Sequence, residues 1–452
     1  MKAKKNRSAN VLIAHELNNG NENLLALLAD NNFHVTPCQT ADSLLEEARQ
    51  GHPDLALLDI QSTTFDAIEI AKTLAERPET SDMAAVLFNV DNLPETFERA
   101  ISAGVDDIIL GKTPGEELMG RLRPLLRLAT MRREVTHRVE LAREYGAPPT
   151  DGLSETDNAP FNLLHVGADS NVIASIKDAF ERTGKNCRIT STPNVDTADA
   201  ILGGDFFDSC FVMLDDDDIS FIDALGFCSR TRLNPRLFNL PVLLVPSSTH
   251  LLDTAEALSA GATQVIELSD DATSLSSSLV LLSTRQRSRW QISRLLNATK
   301  SPDTTDSRTG AYTFDFMKSR LTSLLEAARI REKHLTLVFF SFPDAHTVAE
   351  QYGQTAGEHL LRQLAGWINA MLRTEDMIAH YTGHDFCIAL PDTPVDEALF
   401  VMNRISGVLT YTDFALDEVY QPISISVEFG LADNEPGDTT ETLIKRARQY
   451  LD

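Results

Sequence analysis

Arg373 and Asp376 stand three residues apart where two patterns of apolar residues meet. Upstream, Leu360, Leu361, Leu364, Ile368, Met371 and Leu372 recur at helical spacing, so an amphipathic helix is expected to end at Arg373. Downstream, Met377 to Tyr381 and Phe386 to Leu390 flank Thr382-Gly383-His384-Asp385, the pattern of a strand, a tight turn and a returning strand. A cation and a carboxylate at such a junction are free to face a ligand. His384 in the turn is of a type that can act as a base near neutral pH, although a solvated turn residue is the plainer reading. Asp59 suggests a second chemistry. It closes the buried run Leu55-Ala56-Leu57-Leu58, and functional residues of parallel α/β sheets sit at the carboxyl ends of strands.

The elements that would position these groups fall into three successive blocks. In the first, strands at Val11 to Ala14, Leu55 to Asp59, Ala84 to Phe88 and Ile108 to Leu110 alternate with helical patterns, which predicts a parallel α/β sheet. The second repeats it, with Leu163 to Val166, Phe211 to Asp215 and Val265-Ile266 as strands. Asp59 precedes Gly104 of Ser-Ala-Gly by 45 positions, and Asp215 precedes Gly261 of a second Ser-Ala-Gly by 46, an internal repeat at domain scale. The acids Asp215 to Asp218 suggest a cation site, but four consecutive carboxylates cannot all converge on one ion and read as a solvated loop. Between the blocks, Leu118, Leu122, Leu125, Met131, Val135 and Val139 form a stripe suited to a helix–helix dimer contact, with Pro124 predicting a kink or a junction of two helices. The resulting division is 8–145, a linker at 146–160, 161–297 and 298–452.

The chain of 452 residues has room for about three domains of ordinary size. Apolar runs are too short to span a bilayer and no signal-peptide core follows the basic start, which places the protein in the cytoplasm with no membrane partner. Five scattered cysteines without metal-ligand spacing predict reduced, buried thiols. A net charge of −26 argues against a nucleic-acid polymer as partner, while one local arginine cluster could hold a small anion.

The 373–390 stretch resembles the signature hairpin of GGDEF domains, which make cyclic di-GMP from two GTP molecules. Thr382-Gly383-His384-Asp385-Phe386 occupies the G-G-[D/E]-E-F slot, Arg373-Thr-Glu-Asp376 the R-x-x-D product-binding slot, and Asp306-Ser-Arg-Thr309-Gly310 resembles the D-x-L-T-G opening turn. R-x-x-D alone is expected about once by chance in a chain of this size, so its distance from the hairpin carries the weight. The first two blocks resemble response-regulator receivers of the doubly wound, flavodoxin-like type, and the order receiver, receiver-like, GGDEF resembles PleD-like regulators.

Several positions depart from these families. The first receiver has His15-Glu16 for the acidic pair, Asn89 for the hydroxyl residue, and Gly111 in the lysine slot with Lys112 one place on. The bland reading is a receiver used for contacts. Phosphorylation of Asp59, which would need magnesium, stays open. The second has Gly167-Ala168, Pro246 and Leu268 at the corresponding positions and reads as a pseudo-receiver. In the GGDEF block, Ser341 and Pro343 fill the metal-binding D-x-D slots, His384 replaces the hairpin's third-position acid while Asp385 remains, and Ala349 and Glu358 replace the guanine contacts. The family's triphosphate-binding lysine and arginine would fall beyond Asp452. The resemblance thus implies that Arg373, Asp376 and, by register, Arg404 bind cyclic di-GMP, since arginine forks match phosphate and the guanine O6/N7 edge while a carboxylate accepts from N1 and N2. It implies a non-catalytic effector with no catalytic residue, metal or cofactor. It would be dimeric through its receivers and would recruit adaptor or protease-targeting partners at a cell pole in cell-cycle control. A residual diguanylate cyclase and a ligand-independent scaffold are the alternatives.

Overall fold

The computed structural model describes residues 8–14, 22–91, 93–111, 113–149, 159–167, 172–214, 219–246, 253–268, 272–417, 419–449 and 451. His15, Glu16, Lys112, Ala168 and the Asp215–Asp218 run, all singled out on sequence, lie outside them. The chain divides into two compact units, one holding residues 10–129 and 155–291 and the other residues 1–9, 130–154 and 292–452.

The first of these units contains two sheets. Its leading half runs β1 (Ala9–Ala14), α1 (Glu22–Asp30), β2 (Phe33–Cys38), α2 (Ala41–Gly51), β3 (Leu55–Asp59), α3 (Ala67–Glu76), β4 (Ala84–Val90), α4 (Pro94–Ser102), β5 (Asp107–Leu110) and α5 (Gly115–Glu144). The second half runs β6 (Phe161–Val166), α6 (Val172–Arg182), β7 (Cys187–Thr192), α7 (Val195–Leu202), β8 (Ser209–Met213), α8 (Phe221–Leu233), β9 (Val242–Val245), α9 (Thr254–Ser259), β10 (Gln264–Val265) and α10 (Thr273–Ala298). The sheets are ordered β2-β1-β3-β4-β5 and β10-β9-β8-β6-β7. Read from its own first strand, the second order is the first one reversed, so the domain-scale repeat is a repeat of topology, the flavodoxin-like arrangement. The two Ser-Ala-Gly runs do the same work in both halves. Gly104 and Gly261 adopt φ of +80° and +107° just past α4 and α9, where a left-handed residue ends a helix without a Cβ penalty.

Two expectations change here. Pro124 does not split α5, which is one helix of 30 residues. An interior proline costs about 3 kcal/mol, but Leu122, Leu125 and Leu128 of the same stretch are fully buried, and each is worth roughly 1.5–3 kcal/mol. Burial therefore wins. For the same reason the stripe expected to make a dimer contact is already covered within the chain: Leu118, Leu122, Leu125 and Met131 are buried, and Val135 and Val139 half-buried.

The other unit is built on β11 (Tyr312–Thr313), α11 (Phe314–Arg331), β12 (Leu335–Ser341), α12 (Pro343–Tyr352), α13 (Gln354–Met371), β13 (Met377–Thr382), β14 (Asp385–Pro391), α14 (Val395–Thr410), β15 (Glu428–Asp433) and α15 (Thr440–Arg448). Its sheet order is β11-β13-β14-β12-β15. Strand alternation sorts the core into two layers. Val338, Phe340, Phe386 and Ile388 pack with residues of α13 and α14, while Leu337, Phe339, Cys387 and Ala389 pack with α11 and α15. The expected hairpin is present: Thr382 pairs with Asp385 across the two-residue turn Gly383-His384, and Gly383 takes a φ of +54°. Residues 130–144 of α5 and 292–298 of α10 belong to this unit, although the sequence division counts 130–144 with the first block and 292–297 with the second.

Candidate functional site

The 373–376 loop is shaped by its own polar groups. Leu360, Leu364 and Ile368 bury one face of α13, and Leu372 caps its end. The Arg373 backbone N–H then donates to Asp376 Oδ2 at 2.8 Å, and the Asp376 N–H returns a bond to the Arg373 carbonyl at 3.2 Å. Asp376 is buried by this turn, whereas the Arg373 side chain is 40 % exposed, with its guanidinium 3.8 Å from Glu397 on α14. Arg404, also on α14, is exposed and donates to the Met371 carbonyl at 3.2 Å. Arg373 and Asp376 line one cavity of about 160 Å³, and Arg404 is not among its lining residues.

The opposite wall of that cavity comes from residues that the sequence reading did not select. Arg138 of α5, Asn297 of α10 and Lys300 beyond it face Arg373, Thr374 and Asp376 there. Arg138 donates to the carbonyls of Glu375 at 2.8 Å and Asp376 at 3.4 Å, so the loop backbone is clamped from a helix more than two hundred positions away in the chain. Behind it lies a buried ion network. Arg138 Nε meets Glu134 Oε1 at 2.8 Å, and Arg320 Nη2 meets Glu134 Oε2 at 2.7 Å. Burial alone would raise the Glu134 carboxyl, but Arg320 and Arg138 hold it below the usual range. The visible signal was the Glu134/Arg138 pair at i,i+4 inside an otherwise apolar stripe.

The slots implied by the hairpin resemblance gather at the other end of β13 and β14. Ser341 lies opposite Asp385 in the β12–β14 ladder and donates its hydroxyl to Asp385 Oδ1 at 2.7 Å. His384 Nε2 lies 3.8 Å from the same carboxylate, and Arg448 of α15 reaches its other oxygen at 3.8 Å. Pro343 opens α12, where its missing N–H costs nothing. Thr382 and Gly383 shape the turn and bring no carboxylate. For the magnesium that this fold family implies, Asp385 is the one carboxylate among these slots. Among the described residues no three His, Cys, Asp or Glu side chains group to hold a metal ion. The residues present do not form a two-carboxylate cradle for the ion.

Asp59 is fully buried at the end of β3. One carboxylate oxygen accepts from the Gln61 N–H at 3.0 Å, and the other has no hydrogen-bond partner among the described residues. Asn89, expected at the hydroxyl position, adopts a φ of +58°, and its carbonyl accepts from Gln61 Nε2 at 3.2 Å.

The R-x-x-D loop, the hairpin and the sheet that carries them all lie in one segment of the chain. Residues 303–452 match the family model of the diguanylate cyclase GGDEF domain. Over 97 % of its length the chain is similar to the response regulator PleD of Caulobacter vibrioides, at 22 % identity and covering 95 % of that protein. A stretch of 126 residues is similar to the probable diguanylate cyclase DgcE of Escherichia coli, 28 % identical over 28 % of this chain and 11 % of that protein. Among solved structures, the GGDEF domain of DgcB from Caulobacter crescentus in complex with c-di-GMP is 18 % identical, with a TM-score of 0.32 over 33 % of this chain and 87 % of that one.

These findings support a PleD-like order of two receiver-like domains and a GGDEF domain, and a place in cyclic di-GMP signalling. They also correct one expectation. The substitutions at Ser341, Pro343 and His384 pointed to a domain that is not an enzyme, whereas the family match and the full-length similarity to PleD point to a diguanylate cyclase. Among the described residues no helix is long and apolar enough to cross a membrane.

Proposed function

We propose that this chain is a cyclic di-GMP signalling regulator whose 373–376 loop binds cyclic di-GMP. One observation carries the reading: an arginine and a buried carboxylate, fixed by a reciprocal backbone turn, line a cavity that also presents Arg138 and Lys300. Guanidinium groups complement phosphodiester oxygens and the guanine O6/N7 edge, and the carboxylate complements the N1 and N2 donors. The Asp376 oxygen held by the Arg373 N–H fixes the loop before any ligand arrives, which lowers the ordering cost of binding. Arg404, exposed on α14, would approach the ligand from outside the cavity.

In this reading the product of the cyclase reaction acts on the chain through a site separate from the hairpin, and the receivers carry the response-regulator input. A receiver-mediated homodimer, adaptor or protease-targeting partners and a polar address complete it, supported by the likeness in domain order. Phosphorylation at Asp59 is the corresponding input proposal, supported by its place at the end of β3. Isothermal titration of the full chain with cyclic di-GMP tests the core of the reading. Saturable binding lost in Arg373→Ala is the expected result. Absence of binding to the wild-type chain would instead favour a ligand-independent scaffold.

A further inference from the structure

The chain carries a net charge of −26, yet the cavity beside the 373–376 loop is lined by three cations and one carboxylate. Two of these cations have a carboxylate beside them: Arg138 meets Glu134, which it shares with Arg320 behind the wall, and the Arg373 guanidinium lies 3.8 Å from Glu397. Lys300 differs. It donates to the neutral Asn369 Oδ1 at 3.3 Å and sits 5.6 Å from the Tyr312 ring centroid. Burial, and then the nearby Arg138, lower the affinity of its amine for the proton. Among the described residues Lys300, unlike Arg138 and Arg373, has no carboxylate within ion-pair distance. Asn297 and Ser293 supply neutral polar groups on the same wall.

We propose that Lys300, supported by Asn297 and Asn369, holds a phosphodiester group of a guanine nucleotide whose base lies against Arg373 and Asp376. This assignment rests on the function proposed above and gives the site a second wall. A phosphodiester carries a single negative charge, which the Lys300 ammonium can meet at this wall of the cavity. At about 160 Å³ the cavity is smaller than the 300–1,000 Å³ of sites that enclose a drug-sized ligand, so it seats part of a dinucleotide and leaves the rest over the exposed Arg373 and Arg404. The ammonium acts as a point charge on a flexible stem, which suits a phosphate rather than a base edge.

The test uses the full chain and isothermal titration with cyclic di-GMP and, separately, with GTP, at low and at high salt. Lys300→Gln is expected to weaken cyclic di-GMP binding by about tenfold and to flatten its salt dependence, while Lys300→Arg keeps both near wild type. The Arg variant guards against a purely structural effect of losing the side chain, since it keeps the charge. Cyclic di-GMP is expected to bind more tightly than GTP. Unchanged cyclic di-GMP affinity in Lys300→Gln overturns the Lys300 assignment and leaves the 373–376 loop reading standing. Failure of the wild-type chain to bind overturns both, and GTP bound more tightly than cyclic di-GMP overturns the phosphodiester as the group held.

Discussion

Replacing Arg373 by alanine separates the two jobs done at that position. The backbone N–H that holds Asp376 Oδ2 at 2.8 Å is kept in Arg373→Ala, so the loop should keep its shape. What disappears from the free protein is a guanidinium 40 % exposed and 3.8 Å from an exposed carboxylate, Glu397. Exposed pairs of this kind contribute about 0–1 kcal/mol, so the thermal midpoint should hardly move. Ligand binding should respond differently. Truncating one partner of a buried charged hydrogen bond costs about 2–5 kcal/mol, and partial exposure places Arg373 below that range. A loss of at least about tenfold, roughly 1.4 kcal/mol, is the expected minimum. Calorimetric titration with cyclic di-GMP beside a thermal melt of each protein reads both quantities. Equal affinity with an unchanged melt would show that the guanidinium does not touch the nucleotide, and the proposed function would fail with it.

Other outcomes follow from the same geometry. Glu134→Gln leaves Arg138 and Arg320 buried without their counter-charge and should cost about 3–5 kcal/mol in denaturant unfolding at pH 7, an effect absent if the network is wet and loose. Because Glu134 is held below its unfolded value, its contribution is present above about pH 4.3 and is lost as pH falls through the folded value, so the variant should lose less stability than wild type on acidification. His384→Ala and Asp385→Ala should bind cyclic di-GMP within about twofold of wild type, since neither lines the cavity. Burial pushes the thiols of Cys38, Cys187 and Cys228 up to about 11 and also raises those of Cys210 and Cys387. At pH 8 a disulfide reagent should therefore titrate five thiols only after unfolding, with the half-buried Cys187 first to react in the native chain, and rapid labelling of all five would contradict the packing.

The alternating strands, the tight turn at Gly383-His384 and the two Ser-Ala-Gly helix ends were legible from local sequence because each depends on neighbours a few positions away. The apolar face of α13, with Leu360, Leu364 and Ile368, belongs with them. Pro124 does not end the helix because the buried leucines of the same helix outweigh a local propensity term. The stripe from Leu118 to Val139 showed that something must cover it, but a helical period does not say whether that cover is a second copy or the chain itself.

Arg373 and Asp376 could be chosen from their place at the end of a helix. That Asp376 turns inward onto a backbone N–H, and that Arg404 lies outside the cavity, could not. Arg138 and Lys300 reach the loop from α5 and from beyond α10, and Glu134 meets Arg320 across 186 positions. A charge's worth depends on its distance to other charges and on the water removed around it, and both are set only when distant segments pack together.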